Sequence, residues 1–389
     1  MSADTRTVTV IGAGIVGVMI AERLANAGAT VTVVDSGEIA GGTTGATFSQ
    51  ANASYSGYWR YFDLRWAGMR AYARMAAEGN APWWHNVGTL NVARTGDDFA
   101  SQDAHVNSLI ELGYPAERLH GDATAVEPAF ATFESKRIYR YPGEGWVDAP
   151  AMTRDFAERA SLLGATFRTG DAVTDILRDG DTVTGVRLAS GDTLDSDEVI
   201  VCAGRWTDEL LSLTGEESRF VAEREAAGTP VPGLLVITEP VEGSVQQVAS
   251  VDDISYRPHD GGRTMVWSPT EDYQLGDIGG LDADQEAADR IGQALLERSA
   301  EFVPALRNAR MEQALITARA LPVDGSPIIG RPFGLNGLYM VFAHAAVTIA
   351  PAVADLVTAE TLHGRDEDAL AQFRPDRIRA DVSSILTTE

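Results

Sequence analysis

One group of residues in this 389-residue chain has the type and spacing to do chemistry: Gly12-Ala13-Gly14-Ile15-Val16-Gly17, with Asp35 further along the chain. The first glycine permits a tight turn, the second lets the backbone approach a pyrophosphate, and the third lets a helix pack closely on a strand. A helix that follows such a turn offers its unpaired N–H groups and positive dipole end to phosphate. Asp35 supplies a carboxylate that accepts from ribose hydroxyls and repels a 2′-phosphate. The pattern marks a dinucleotide site without saying which dinucleotide. The one cysteine, Cys202, allows neither an intramolecular disulfide nor a zinc-type cysteine cluster.

These residues need elements to hold them. Thr7 to Ile11 reads as a strand, followed by an alanine-rich helical pattern that closes at Gly28, then a second strand, Thr30 to Val34, ending in Asp35. The spacing of Phe62, Trp66, Met69, Tyr72 and Met75 predicts a long helix. His105 to Leu112 and Ala151 to Leu163 read as helices, and Val199 to Cys202 as a buried strand. Residues 230–270 carry β-rich runs with a hairpin turn at Gly261-Gly262. Asp284 to Phe302 reads as a helix, Leu338 to Phe342 as a strand, and Ala350 to Leu362 as the last helix. This order predicts α/β plus α+β architecture: a dinucleotide-binding domain from residues 1–84, 146–218 and 316–389, with a substrate domain from 85–145 and 219–315.

Several motifs along the chain resemble the D-amino acid oxidase superfamily of FAD-dependent amine oxidoreductases, which includes glycine oxidase, sarcosine oxidase and D-amino acid dehydrogenase. Arg319-Ala320-Leu321-Pro322-Val323-Asp324-Gly325-Ser326-Pro327-Ile328-Ile329-Gly330 is similar to the family's R-x-x-P-x-D-G-x-P-x-I-G signature. His344-Ala345-Ala346-Val347-Thr348-Ile349-Ala350-Pro351 resembles its H-x-G-x-T-x-A-P segment, with Ala346 where glycine is usual. Phe373 to Arg377 matches the closing FRPDR.

The resemblance implies a Rossmann-type FAD-binding domain with an inserted antiparallel-sheet substrate domain. It places Ser36, Gly42, Thr43 and Thr44 at the pyrophosphate, and Phe48, Ser49 and Gln50 beside the isoalloxazine ring. Val173 stands at the adenine, Ala203 and Gly204 at a strand end near the flavin, and Gly330 within the C-terminal signature. The backbone of His344, Ala345, Ala346, Val347 and Thr348 faces flavin N1 and O2. Arg319 becomes the binder of the substrate carboxylate, and Tyr256 a cavity tyrosine whose hydroxyl shares it. In this family the α-hydrogen leaves as hydride to flavin N5, so His344 is expected to position the chain rather than to act as a base.

Cys202 does not match the cysteine that tethers the flavin of sarcosine oxidases, which implies non-covalent FAD. Their oxygen-activating lysine has no counterpart, because Lys136 is the only lysine and lies elsewhere. Oxygen or another electron acceptor therefore stays open, as do a flavoprotein subunit with little turnover alone and a flavin monooxygenase. The lack of a second Gly-x-Gly-x-x-Gly disfavours enzymes that use NAD(P)H.

Composition narrows the remaining classes. With 56 acidic against 31 basic residues the net charge is −25, which repels nucleic acid and anionic lipid. No metal ligand set is predicted. No apolar run reaches membrane-spanning length, and Met1 to Thr7 lacks signal-peptide character, so a cytoplasmic protein is expected, with a homo-oligomer left open.

Overall fold

The computed structural model describes residues 5–94, 99–133, 137–226 and 228–378. Lys136 and the extreme termini lie outside these described residues. Strand β1 (Thr7–Ile11) is followed by helix α1 (Ile15–Asn26) and strand β2 (Thr30–Asp35). β1 sits inside a six-stranded sheet, parallel to β2 on one side and to Glu198–Val201 on the other. Thr166–Thr169 extends one edge, and Leu338–Phe342 with the antiparallel Ile328–Gly330 the other. Strands covered on both faces read as continuous apolar runs, and Val8, Val10, Val31, Val33, Ile200 and Val341 are all buried.

Helix α2 (Phe62–Ala77) is the long helix read from its spacing, burying Phe62, Met69, Tyr72 and Met75. It packs against the last helix, Ala346–His363. That helix starts four residues earlier than Ala350, where the sequence suggested it would. Pro351 therefore falls inside it and cannot donate to the carbonyl four residues back. The Tyr72 hydroxyl supplies the missing donor, at 2.6 Å from Val347 O.

The N-cap of this helix, Ala345, has φ +53°, the left-handed region that costs a side chain about 1 kcal/mol. The strained residue is thus Ala345, one position before Ala346, which the family comparison of motifs singled out. Ala345→Gly should raise stability by about 1 kcal/mol in urea unfolding.

The second sheet has eight strands, in the order Met311–Ala318, Pro232–Thr238, Arg263–Trp267, Ile254–His259, Val248–Val251, Thr89–Ala93, Arg137–Tyr141 and Glu117–Leu119. All neighbours are antiparallel except Val248–Val251 with Thr89–Ala93. Helix Gln285–Ser299 covers one face, with Leu295 and Leu296 buried against Leu234, Val236, Tyr256 and Val266. Met311–Ala318 was not legible as a strand, since Met-Glu-Gln-Ala favours helix. Its pairing along the whole of Pro232–Thr238 overrides that propensity. Two side-chain hydrogen bonds stitch this edge strand to the loop after β2: Thr43 Oγ1 to Ala318 O at 2.9 Å and Thr317 Oγ1 to Ala46 O at 2.6 Å.

Candidate active site

A cavity of about 1030 Å³ runs from the C-terminal ends of β1 and β2 to the uncovered face of the eight-stranded sheet. It exceeds the volume that one drug-sized ligand fills, so an extended cofactor and a small substrate fit together. Gly12, Gly14, Ile15, Val16, Asp35 and Ser36 line one end. Gly12 has φ +115°, and a Cβ there would stand 2.4 Å from Cys202 O. Gly17 lies beneath the cavity, where a Cβ would meet Gly12 O at 2.1 Å. Ala13 is fully buried and contributes its N–H to Asp35 Oδ2 at 2.7 Å. Asp35 Oδ1 accepts from Gly37 N at 2.8 Å, so the carboxylate is fixed with lone pairs left for hydroxyls. The N-cap Gly14 has no side chain to cap α1, so in the first turn only Ile15 N is taken by a side chain, Thr44, and the next N–H groups stay available to phosphate.

Gly42, Thr43 and Thr44 border the middle of the cavity, and Val173, Ala203 and Gly204 its outer end. Thr44 Oγ1 accepts from Ile15 N at 3.1 Å, holding this loop against the start of α1. Trp206, which the motif reading did not include among site residues, joins them on the wall. At the inner end stand Phe48, Ser49 and Gln50 from the loop and Leu235, Trp267 and Thr317 from the sheet. His344, Ala345, Ala346 and Val347 complete that end. Helix Ala346–His363 has no side-chain cap, so its first N–H groups and positive dipole end face the cavity.

Three residues expected here lie elsewhere. Thr348 is fully buried and its hydroxyl accepts from Asn52 N at 3.3 Å, behind the wall. Gly330 packs on Arg374 and Pro375, where a Cβ would meet Pro375 at 3.0 Å. Tyr256 is fully buried on the helix side of the sheet, donating to Ser299 O at 3.3 Å. Strand alternation turns it away from the cavity.

Arg319 does line the cavity, but its guanidinium is engaged. Nη1 donates to Pro230 O at 2.9 Å and Pro232 O at 2.8 Å, and Nη2 pairs with Asp272 at 2.5 Å. Asp272 also accepts from Leu234 N and Trp267 Nε1, both at 2.6 Å. Burial pushes its carboxyl up, against the pull of Arg319. The pair joins the end of the edge strand to the helix after Trp267 and carries no net charge toward the cavity.

Arg65 on α2 also reaches the wall, bonded to Asn52 and set over the Tyr61 ring. It falls between Phe62 and Met69 on the buried stripe of the helix, a signal present in the sequence and passed over. His85 stacks on Trp146 with ring centroids 3.8 Å apart, and Arg60 is exposed.

Burial, and then Arg319 and Arg65, push the His344 imidazole down to about 3. Its resting form is the neutral imidazole, a weaker base than an ordinary histidine. Its resonance in a histidine NMR titration should not move between about pH 5 and 9; a transition near its ordinary value would contradict this. An unfolded chain takes up a proton on this imidazole as pH falls through about 6.5 while the folded chain does not, so His344 makes acid destabilising.

The profile of the FAD dependent oxidoreductase (DAO) family matches residues 7–360, which is most of the chain. The chain belongs to this family. It is 26% identical to a D-amino acid dehydrogenase of Methylobacterium nodulans, over 93% of this chain and 97% of that one. It is also 26% identical to a glycine oxidase of Pseudomonas aeruginosa, over 92% and 95% of the two chains. Among solved structures, L-proline dehydrogenase from P. horikoshii superposes with a TM-score of 0.81 at 20% identity, covering 96% of this chain and 97% of that one. Glycine oxidase from Bacillus cereus gives 0.78 at 22%, covering 95% and 98%. These two likenesses share the fold.

The protein is therefore an FAD-dependent oxidoreductase of CH–NH or CH–NH2 donors. The one thiol, Cys202, is buried under Gly12 and pushed above the ordinary thiol range by burial, which does not suit a covalent tether. The cradle at Gly12 and Gly14, the fixed Asp35 carboxylate and two open helix starts fit that cofactor. Among the described residues no cluster of side chains suits a metal ion, and no helix is long and apolar enough to cross a membrane.

Proposed function

We propose that the protein oxidises the C–N bond of a small amino acid, free or N-substituted, to an imine that water hydrolyses to an oxo acid and ammonia or an amine. One observation carries this reading: the cavity continues without a break from the dinucleotide cradle to a wall built from the second sheet. FAD would supply the acceptor for the hydride, which carries both electrons, while the amine proton leaves to water. The chain's own residues do the rest. Open amides at the start of α1 take the pyrophosphate and Asp35 the ribose. The start of helix Ala346–His363 places positive potential at the inner end, which stabilises negative charge gained there on reduction. Phe48, Leu235 and Trp267 keep water from that end. Neutral His344 holds its strand-to-helix turn.

The direct test supplies the holoenzyme with glycine, D- and L-amino acids and N-methyl amino acids, together with oxygen and, separately, an artificial electron acceptor. One oxo acid per acceptor reduced is the expected result for at least one of them. An acceptor reduced only by carboxylate-free amines, or by none of these, overturns the reading.

A further inference from the structure

The inner end of the cavity presents a side-chain acceptor that the fold leaves open. Gln50 begins the short strand Gln50–Ala51, where it stands opposite Trp146, and it lines the cavity. Its amide is held from one side. Nε2 donates to Thr89 Oγ1 at 3.2 Å. The Thr89 hydroxyl is itself directed toward the Glu144 carboxyl, which leaves its lone pair for the Gln50 amide. Thr89 and Glu144 are both buried, so the orientation of the amide is set from behind the wall. Among the described residues nothing donates to Gln50 Oε1, and the half-buried side chain keeps that oxygen accessible.

The backbone leading into Gln50 is held in an unusual shape. Ser49 has φ +55°, the left-handed region. Two hydrogen bonds fix it there: Ser49 N donates to Thr47 Oγ1 at 3.1 Å, and Ser49 O accepts from Val147 N at 3.1 Å. Strain persists only where such contacts over-determine it.

The charges around the cavity give this oxygen its meaning. The carboxylates on the wall, Asp35, Glu38 and Glu209, belong to the nucleotide end. The other side-chain amide of the inner end, Asn52, gives its oxygen to Arg65. An amine brought there meets a neutral acceptor and no counter-ion. Oxidation of a C–N bond requires that. The C–H electron pair leaves with the hydride to FAD, the nitrogen lone pair becomes the second bond of C=N, and an N–H proton passes to water. An ammonium has no lone pair to give, and a carboxylate beside it would hold it in that form.

We propose that Gln50 Oε1 binds the amine nitrogen of the substrate by accepting from its N–H. This rests on the amino acid reading above and adds to it the group that receives the nitrogen.

The test uses two ligands of one shape that cannot be oxidised. 2-Aminoisobutyrate has an amine and no α-hydrogen, and pivalate has a methyl group in place of that amine. Each is titrated into the holoenzyme and followed by flavin absorbance. Gln50→Leu should weaken 2-aminoisobutyrate by about fivefold or more, the worth of one hydrogen bond, with pivalate changed by less than about twofold. Equal losses for the two ligands, or no loss for either, overturn the proposal. Gln50→Glu keeps the shape and adds the carboxylate. Its kcat profile should move to higher pH by about one unit or more, because the bound ammonium gives up its proton later; an unmoved profile overturns the proposal as well.

A crystal structure of wild-type holoenzyme with 2-aminoisobutyrate decides the matter even where the variants fold poorly. Its nitrogen should lie within hydrogen-bonding reach of Gln50 Oε1, and a nitrogen held elsewhere overturns the assignment. Nitrogen on Gln50 in a protein that oxidises no amino acid sinks the functional reading and supports the amine site. Amino acid turnover with the nitrogen away from Gln50 does the reverse.

Discussion

Gly17→Ala should yield a protein that folds poorly and carries little or no FAD. The added Cβ would stand 2.1 Å from Gly12 O and 3.2 Å from the Cys202 side chain, so β1, α1 and Glu198–Val201 must all move apart. Overpacking of this kind costs on the order of 3 kcal/mol where only backbone can yield. The displacement falls on the phosphate cradle itself, so FAD affinity should drop by at least about a hundredfold on the conversion of that cost. Gly14→Ala gives the graded comparison. Its Cβ would meet only Thr44 Oγ1, at 3.2 Å, and a hydroxyl can rotate away. FAD content per purified chain measures both; equal loss in the two variants would contradict the packing argument.

Asp272→Ala should be the most damaging substitution outside the nucleotide domain. It strips Arg319 of its carboxylate in a site where the arginine side chain is 12% exposed and the aspartate fully buried. It also leaves Leu234 N and Trp267 Nε1 without their acceptor. Breaking a buried pair from one side costs about 3–5 kcal/mol, because the remaining charge stays desolvated. Asp272→Asn keeps an acceptor for only one of the two N–H groups, because Leu234 N bonds Oδ1 and Trp267 Nε1 bonds Oδ2, and should recover a small part of that loss. Urea unfolding of the holoenzyme measures the difference, and a change under about 1 kcal/mol in Asp272→Ala would show that solvent already relieves the pair.

The opening unit of this architecture, β1 to β2, was legible because glycine spacing, apolar strands and a terminal acid all report the same turn. The long helix α2 was legible for a similar reason, a sustained helical period. Other features depend on distant partners. Met311–Ala318 has helix-forming residues and becomes a strand only beside Pro232–Thr238. The start of Ala346–His363 depends on Tyr72, far away in sequence, to satisfy Val347 O.

Within the site, the cradle residues and the His344 segment could be placed from motifs. The roles of single side chains could not. Neighbours on a strand point to opposite faces, so one position of register decides whether Tyr256 meets the cavity or the helix layer. Whether Arg319 is available to a substrate depends on Asp272, whose approach no local pattern announces.

The account stands most directly on one measurement: anaerobic mixing of the purified yellow protein with amino acids, followed by its visible spectrum. Loss of the oxidised-flavin band with at least one amino acid, and its return when an electron acceptor is admitted, is the predicted result. A protein that purifies without flavin and takes none up, or a holoenzyme whose band no amino acid bleaches, would contradict it.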